Sequence, residues 1–255
     1  MVMNHEPWQS IFNTFKISKH DFDISPYIIT AEQIKSATSH FKTTNEREVR
    51  VLCKQDSRED RPSVFIENNL FLLPIKNGTY AIIKGEGYVD IPEITSISKI
   101  YQSKLDFHLD TSQVGNSEMQ HLDFAYASSL IRTFLKDDSL VLTIRGRKYT
   151  PKFDFKVGKH LILTESVQTE VDAGYEGRNQ VVLIEAKNSI SKNVIIRQLY
   201  YPFRQWQKHT KKEVNTLFFE KQGSAYNLYH FIFKNEMDYN SIEFKNSCKY
   251  EIIEK

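Results

Sequence analysis

The stretch QVVLIEAK, residues 180–187, is apolar at both parities from Val181 to Ile184 and then ends on Glu185 and Lys187. Side chains alternate across a strand, so a run with no polar face must be covered on both sides. That places it as a core strand of a sheet flanked by helices. Val181, Leu183, Glu185 and Lys187 share one face, and Val182, Ile184 and Ala186 fill the other. Uncompensated buried charge is costly. A core strand that turns acidic at its end therefore presents a functional group at the sheet edge.

The surrounding chain supplies the rest of that sheet. SEMQHLDFAYASSLIRTFL (117–135) has helical spacing, with Ser117 as its N-cap. LVLTIRGRKYTPKFDF (140–155) reads as a strand pair turned around Gly146, with Arg145, Arg147 and Lys148 at its tip. HLILTESVQTEVD (160–172) is a further strand, on which Gln168, Glu170 and Asp172 share a face. NVIIRQLYYPFRQWQKH (193–209) is helical in period with Pro202 inside it, and EVNTLFFE (213–220) returns to strand. The fold expected is α/β or α+β, with a mixed sheet between helices.

Residues 1–105 read differently. ITAEQIKSATSHF (29–41) opens on Thr30 as N-cap and carries Ile34, Ala37 and Phe41 on one face. TNEREVRVLCK (44–54) offers a second helix, with Asn45 capping and Glu48 three residues on. FLLPIKNGTYAIIKGEGYVDI (71–91) is a hairpin turned on Asn77-Gly78. Helix, helix and hairpin fit a winged-helix-like recognition region or a small α+β unit with no such role. The polar stretch ending in DTSQVGNSE sets the expected boundary between 1–105 and 106–255.

Composition excludes several classes. No apolar run approaches the roughly 20 residues that span a bilayer, and MVMNHEPWQS lacks the features of a signal peptide, so the expected address is the cytoplasm. Cys53 and Cys248 form no CxxC pair and read as two buried, reduced thiols. The net charge of +2 hides local clusters of Lys and Arg, and neither demands nor excludes nucleic acid.

Asp172 and Glu185 on neighbouring strands repel each other unless a cation sits between them. Magnesium suits such a pair, because it takes few protein oxygens and completes its shell with water and phosphate. Lys187 beside it is placed to contact a phosphate or orient a water, with a purely structural pair with Glu185 as the other reading. Glu170 and Glu176 compete with Asp172 for the acidic role.

Asp172, twelve intervening residues, then Glu185-Ala186-Lys187 resembles the catalytic motif of the PD-(D/E)XK nuclease superfamily, with Val171-Asp172 where the motif has Pro-Asp. Together with SEMQHLDFAYASSLI, LTIRGRKY and RQLYYPFR, the chain is similar over 112–220 to bacterial type II restriction endonucleases whose nuclease core follows a DNA-binding region. The resemblance implies that Asp172, Glu185 and the carbonyl of Ala186 hold Mg2+, that Glu118 is a further or water-mediated ligand, and that Lys187 assists the attacking water. It implies hydrolysis of DNA phosphodiesters to 5'-phosphate and 3'-hydroxyl ends, and a DNA methyltransferase as functional partner. Glu118 as a simple complement to the helix dipole is the other reading.

Arg197, Tyr201, Arg204, Lys208 and Lys211 recur as a basic stripe beside an apolar face of Ile195, Leu199, Phe203 and Trp206. With Gln198, Arg145, Arg147 and Lys148, and with Arg47, Arg50, Lys54, Arg58 and Arg61 in the N-terminal region, they form the expected surface for double-stranded DNA. A short palindromic target favours a homodimer. A repair or recombination nuclease, and a catalytically inactive nucleic-acid-binding module, are the alternatives.

Overall fold

The computed structural model describes residues 4–254, so residues 1–3 of the N-terminal stretch read above lie outside the described residues. The chain opens with α1 (His5–Phe15), β1 (Tyr27–Thr30), α2 (Ala31–Thr38), α3 (Val49–Leu52), α4 (Ser63–Glu67), β2 (Leu70–Lys76) and β3 (Thr79–Lys84). It continues with β4 (Tyr88–Asp90), β5 (Lys99–Gln102), α5 (Glu118–Ala127), α6 (Leu130–Leu135), β6 (Val141–Tyr149), β7 (Phe153–Val157) and β8 (His160–Thr164). Then come β9 (Gln168–Glu176), β10 (Gln180–Lys187), β11 (Asn193–Ile195), α7 (Arg197–Gln207), β12 (Glu213–Gln222), β13 (Ala225–Phe233) and β14 (Ile242–Ile253). The fold is mixed α/β. No helix among the described residues is long and apolar enough to cross a membrane.

In the N-terminal part, Thr30 caps α2 as its sequence requires. Its Oγ1 accepts from Gln33 N at 3.2 Å, and Gln33 Oε1 accepts from Thr30 N at 2.8 Å. The expected helix over 44–54 is only a 3-10 turn followed by one turn of α3, because the capping pair forms between Thr43 and Glu46, upstream of Asn45. β2 and β3 form the expected hairpin, with Gly78 at φ 73°, and β1 adds to β3 in the order β1-β3-β2. Trp8, Phe12 and Phe65 fill the core beneath.

The second sheet has seven strands in the order β5-β14-β13-β12-β10-β9-β6. β10 is parallel to β12, joined to it across α7, and antiparallel to β9. Its double apolar pattern has the expected cause. Val182, Ile184 and Ala186 pack with Leu122, Leu130 and Tyr175 beneath α5 and α6, while Val181 and Leu183 pack with Ile144, Val171 and Trp206 on the opposite face. β4 and β5, although N-terminal to residue 105, pair with β11 and β14.

Three further expectations are corrected. Residues 140–155 are not a hairpin turned on Gly146: β6 runs through it as one strand, and Gly146, at φ 82°, sits at a register slip against β9. Arg145, Arg147 and Lys148 therefore lie along an edge strand, not on a loop tip. The strand expected over 160–172 breaks at Ser166 (φ 54°) into β8 and β9. The long helix over 117–135 breaks at Ser129 (φ 66°) into α5 and α6.

A shared core fixes the N-terminal part on the large sheet. Phe71, Leu73, Ala81 and Ile83 pack with Phe155, Tyr200, Tyr201 and Tyr239. Tyr201 Oη donates to the Pro74 carbonyl at 2.9 Å, and Tyr239 Oη to the Gly87 carbonyl at 3.1 Å. A Cβ on Gly87 would stand 2.2 Å from the Phe71 ring, so this close approach requires glycine.

Candidate active site

The β9–β10 ladder runs from Val181↔Glu176 to Ile184↔Ala173 and opens one residue later, where Asp172 meets Glu185. The Ala186 amide then turns to a side chain: Asp172 Oδ2 accepts from Ala186 N at 2.8 Å. Lys187 Nζ donates to Glu185 Oε1 at 2.5 Å. Three charged groups thus converge where two strands part.

A β-bulge sets their direction. β6 pairs Ile144 with Gly174 and then Gly146 with Val171, so Arg145 alone faces two residues of β9, Asp172 and Ala173. The consequence is a change of face. Thr169 and Val171 turn towards α7, with Thr169 Oγ1 donating to Gln205 Oε1 at 2.7 Å, whereas Ala173 and Tyr175 pack beneath α5 and α6. The change of face thus falls between Val171 and Ala173, at Asp172. Bulges commonly re-aim a side chain beside a reacting site.

Burial shapes the electrostatics. Glu185 is 9% exposed, and burial, opposed by Lys187 and helped by Asp172 and Asp56, pushes its carboxyl up to about 7. Burial also raises Asp172, against the Ala186 amide and Lys187, with Glu118 and Glu170 adding to the rise. Burial disfavours the Lys187 charge, yet Glu185, Glu118 and Asp172 hold its pKa above the ordinary value. Two carboxylates share a single lysine, which leaves an excess negative charge in a desolvated place.

These groups line a cleft of about 960 Å³ between the N-terminal part and the large sheet. Glu118, half-buried at the first turn of α5, lies on it, and Asn188 Nδ2 ties that helix start to β10 by donating to the Asn116 carbonyl at 2.7 Å. Glu170 also lies on the cleft and is paired with Arg147, Nε to Oε2 3.1 Å. Glu176 lies at the other end of β9, paired with Lys212. Among the three competing acids, Asp172 is the one in contact with the Glu185-Ala186-Lys187 strand.

Of the residues expected to meet DNA, Arg50, Lys54, Arg147, Arg197 and Gln198 line this cleft, beside Lys76 and Asn77 of the β2–β3 turn. Arg47 and Lys148 are exposed outside its lining, and Arg145 pairs with Asp123. Arg204 is not on a surface: it is 7% exposed, with Nη1 donating to the carbonyls of Asp154 (3.0 Å) and Glu236 (2.6 Å). Tyr201 is fully buried too, so the middle of the expected basic stripe is covered by the N-terminal hairpin and by β7, whereas Arg197 lines the cleft and Lys208 and Lys211 are exposed. Arg58 and Arg61 hold the junction, Arg58 against Glu86 and Asp90 and Arg61 against the Leu70 carbonyl. Asp56 was missed by sequence reasoning, since nothing local links it to residue 185. Cys53 forms part of the cleft wall, its thiol pushed up to about 12 by burial; it and Cys248 are free and half-buried.

The donor set suits magnesium. Asp172 and Glu185 offer only oxygen, their mutual repulsion calls for a cation, and the cleft beside them admits water and phosphate. Among the described residues no three His, Cys, Asp or Glu side chains come together to hold a metal ion, so Glu118 is not gathered with Asp172 and Glu185 into one ligand set.

A family model described as Domain of unknown function (DUF6997) matches residues 83–251, and one described as Domain of unknown function (DUF6996) matches residues 5–82. The first spans more than half of the chain, which belongs to that family. The two models meet inside β3. No curated protein and no solved structure matches.

Proposed function

We propose that this member of the DUF6997 family is a magnesium-dependent type II restriction endonuclease of the PD-(D/E)XK superfamily, cutting double-stranded DNA at a short specific sequence. The observation that carries the reading is the convergence of Asp172, Glu185 and Lys187 at an opened strand pair inside a cleft lined by arginine and lysine. The order of α5, three antiparallel strands β6, β9 and β10, the crossover helix α7 and parallel β12 supports it, since both acids lie on strands between two helices.

Asp172, Glu185 and the Ala186 carbonyl would hold Mg2+, with Glu118 reaching it through water. When bound, the ion supplies charge stabilisation at the phosphate and a more acidic water. Lys187 orients that water and meets the charge that develops on the phosphate. Arg197, Arg50 and Lys54 hold backbone phosphates in line. Water adds to phosphorus, the bond to the 3'-oxygen breaks, and the ends are 5'-phosphate and 3'-hydroxyl.

The N-terminal part, with α1-β1-α2-α3-α4-β2-β3 and sheet order β1-β3-β2, supports a winged-helix-like recognition role. Two antiparallel strands of a palindrome call for two active sites, hence a homodimer on DNA, acting in the cytoplasm beside a protecting methyltransferase. Sedimentation with cognate DNA tests the dimer, and a strictly 1:1 complex that cuts both strands refutes it. Incubation with phage DNA and magnesium tests the function. Discrete bands support it; a progressive ladder favours a repair or recombination nuclease, and binding without cleavage an inactive module.

A further inference from the structure

One acid of the N-terminal part reaches across the cleft. Asp56 Oδ1 lies 3.6 Å from Arg197 Nη2 at the start of α7, and its Oδ2 lies 3.7 Å from Lys54 Nζ. The backbone around it grips the same segment. Ile195 N donates to the Asp56 carbonyl at 2.9 Å, Arg58 N donates to Asn193 Oδ1 at 2.7 Å, and Asn193 Nδ2 donates to both Glu59 carboxylate oxygens at 3.2 and 2.9 Å. Residues 56–59 therefore clamp the stretch that carries the chain from Lys187 into α7.

The cleft side of that clamp is undersatisfied. Arg197 Nε and Gln198 Oε1 are buried and without a hydrogen-bond partner among the described residues, and both residues line the cleft beside Glu185 and Lys187. The ion pair of Asp56 with Arg197 is too long to occupy the guanidinium as a bidentate bond would. It fixes a direction and leaves donors available.

We infer that Asp56 is a positioning residue for the reaction proposed above: it aims Arg197 at a backbone phosphate of the DNA, so that the active site is a composite of the two parts of the chain. The inference rests on the nuclease reading. An isolated carboxylate in a phosphate cleft repels its substrate, whereas Asp56 stands between two cations and contributes orientation. Recognition by the N-terminal part and cleavage at β10 are thereby joined through one side chain.

The test is a double-mutant cycle on duplex cleavage with magnesium, using Asp56→Asn, Arg197→Gln and both together, with DNA binding measured in calcium. Asp56→Asn should lower kcat roughly tenfold, because misaimed groups lose rate without losing contact. Arg197→Gln should lose as much or more, and the double variant should be no worse than Arg197→Gln alone. Asp56→Glu should recover part of the rate. Affinity in calcium and melting temperature should stay near wild type for Asp56→Asn, since the Ile195 and Asn193 bonds do not use this carboxylate. Additive losses, or a wild-type rate in Asp56→Asn, overturn the inference alone; a wild-type chain that cleaves no duplex overturns the nuclease reading and the inference with it. Should Asp56→Asn not fold, Arg197→Lys, which keeps the charge and loses the fork, must fall with Arg197→Gln, and a wild-type rate in either overturns the proposal.

Discussion

Asp172 accepts the backbone amide of Ala186 at 2.8 Å, and so does the work of a strand carbonyl at the point where β9 and β10 separate. Its position is set by the chain itself and does not await a ligand. Asparagine can still accept that bond, which makes Asp172→Asn a clean removal of charge.

Asp172→Asn should therefore fold normally, bind duplex as well as or better than wild type, and lose cleavage by roughly 10³-fold or more. Glu170, paired with Arg147 on the cleft wall, provides the control. Glu170→Gln should retain most activity. If Glu170→Gln abolishes cleavage and Asp172→Asn does not, the acidic position belongs to Glu170; if neither matters, the nuclease reading fails.

Lys187→Ala should reduce cleavage by roughly 10²–10⁴-fold. It also strips Glu185 of its cation, so that buried carboxyl should take up a proton more readily still. Metal binding by isothermal titration should persist at alkaline pH and weaken as pH falls. Calcium should support DNA binding with little turnover, because its looser coordination holds reacting groups less strictly. Wild-type rates in calcium would count against the proposed site.

Arg50→Ala and Lys54→Ala should each lower the salt slope of DNA binding by about one unit, with the melting temperature unchanged. Arg204→Ala should do the reverse. It removes the donor that meets the carbonyls of Asp154 and Glu236 in a buried place, at about 2–4 kcal/mol of stability, with no direct effect on the salt slope. Denaturant unfolding and binding titrations over a salt series separate the two classes. A fully stable Arg204→Ala would contradict its placement.

Legibility followed the range of the interaction. The apolar run at both parities marked β10 as central, Thr30 carried its own cap, and Asn77-Gly78 its own turn, since each depends on neighbours in sequence. Gly146 was misread because a glycine at positive φ serves a turn or a bulge equally well; what decides is its opposition to Val171, set by pairing and not by local sequence. The stripe through Tyr201 and Arg204 looked like an exposed basic face because helical period cannot reveal a second cover, here a hairpin more than a hundred residues earlier. Asp56 escaped notice for the same reason. β13 and β14 were not anticipated, although they extend the sheet beyond β12.

Acid should weaken the fold through His230. This ring lies 7% exposed on β13, where Nε2 donates to Asn215 Oδ1 at 2.8 Å. Burial, with Lys245 adding, pulls its pKa down from 6.5 to about 4. The folded chain thus holds the ring neutral at a pH where the unfolded chain protonates it. The resulting stability is fully present above pH 6.5, declines as pH falls from 6.5 towards 4, and changes no further below that range. About 2 kcal/mol is expected across the window, allowing for partial water access, which corresponds to a fall of roughly 5 °C in Tm. Melting curves at pH 7.5 and 5.0 measure it, with His230→Gln as the comparison. The variant should start lower at pH 7.5 and lose less on acidification; an equal loss in both proteins would remove His230 as the source.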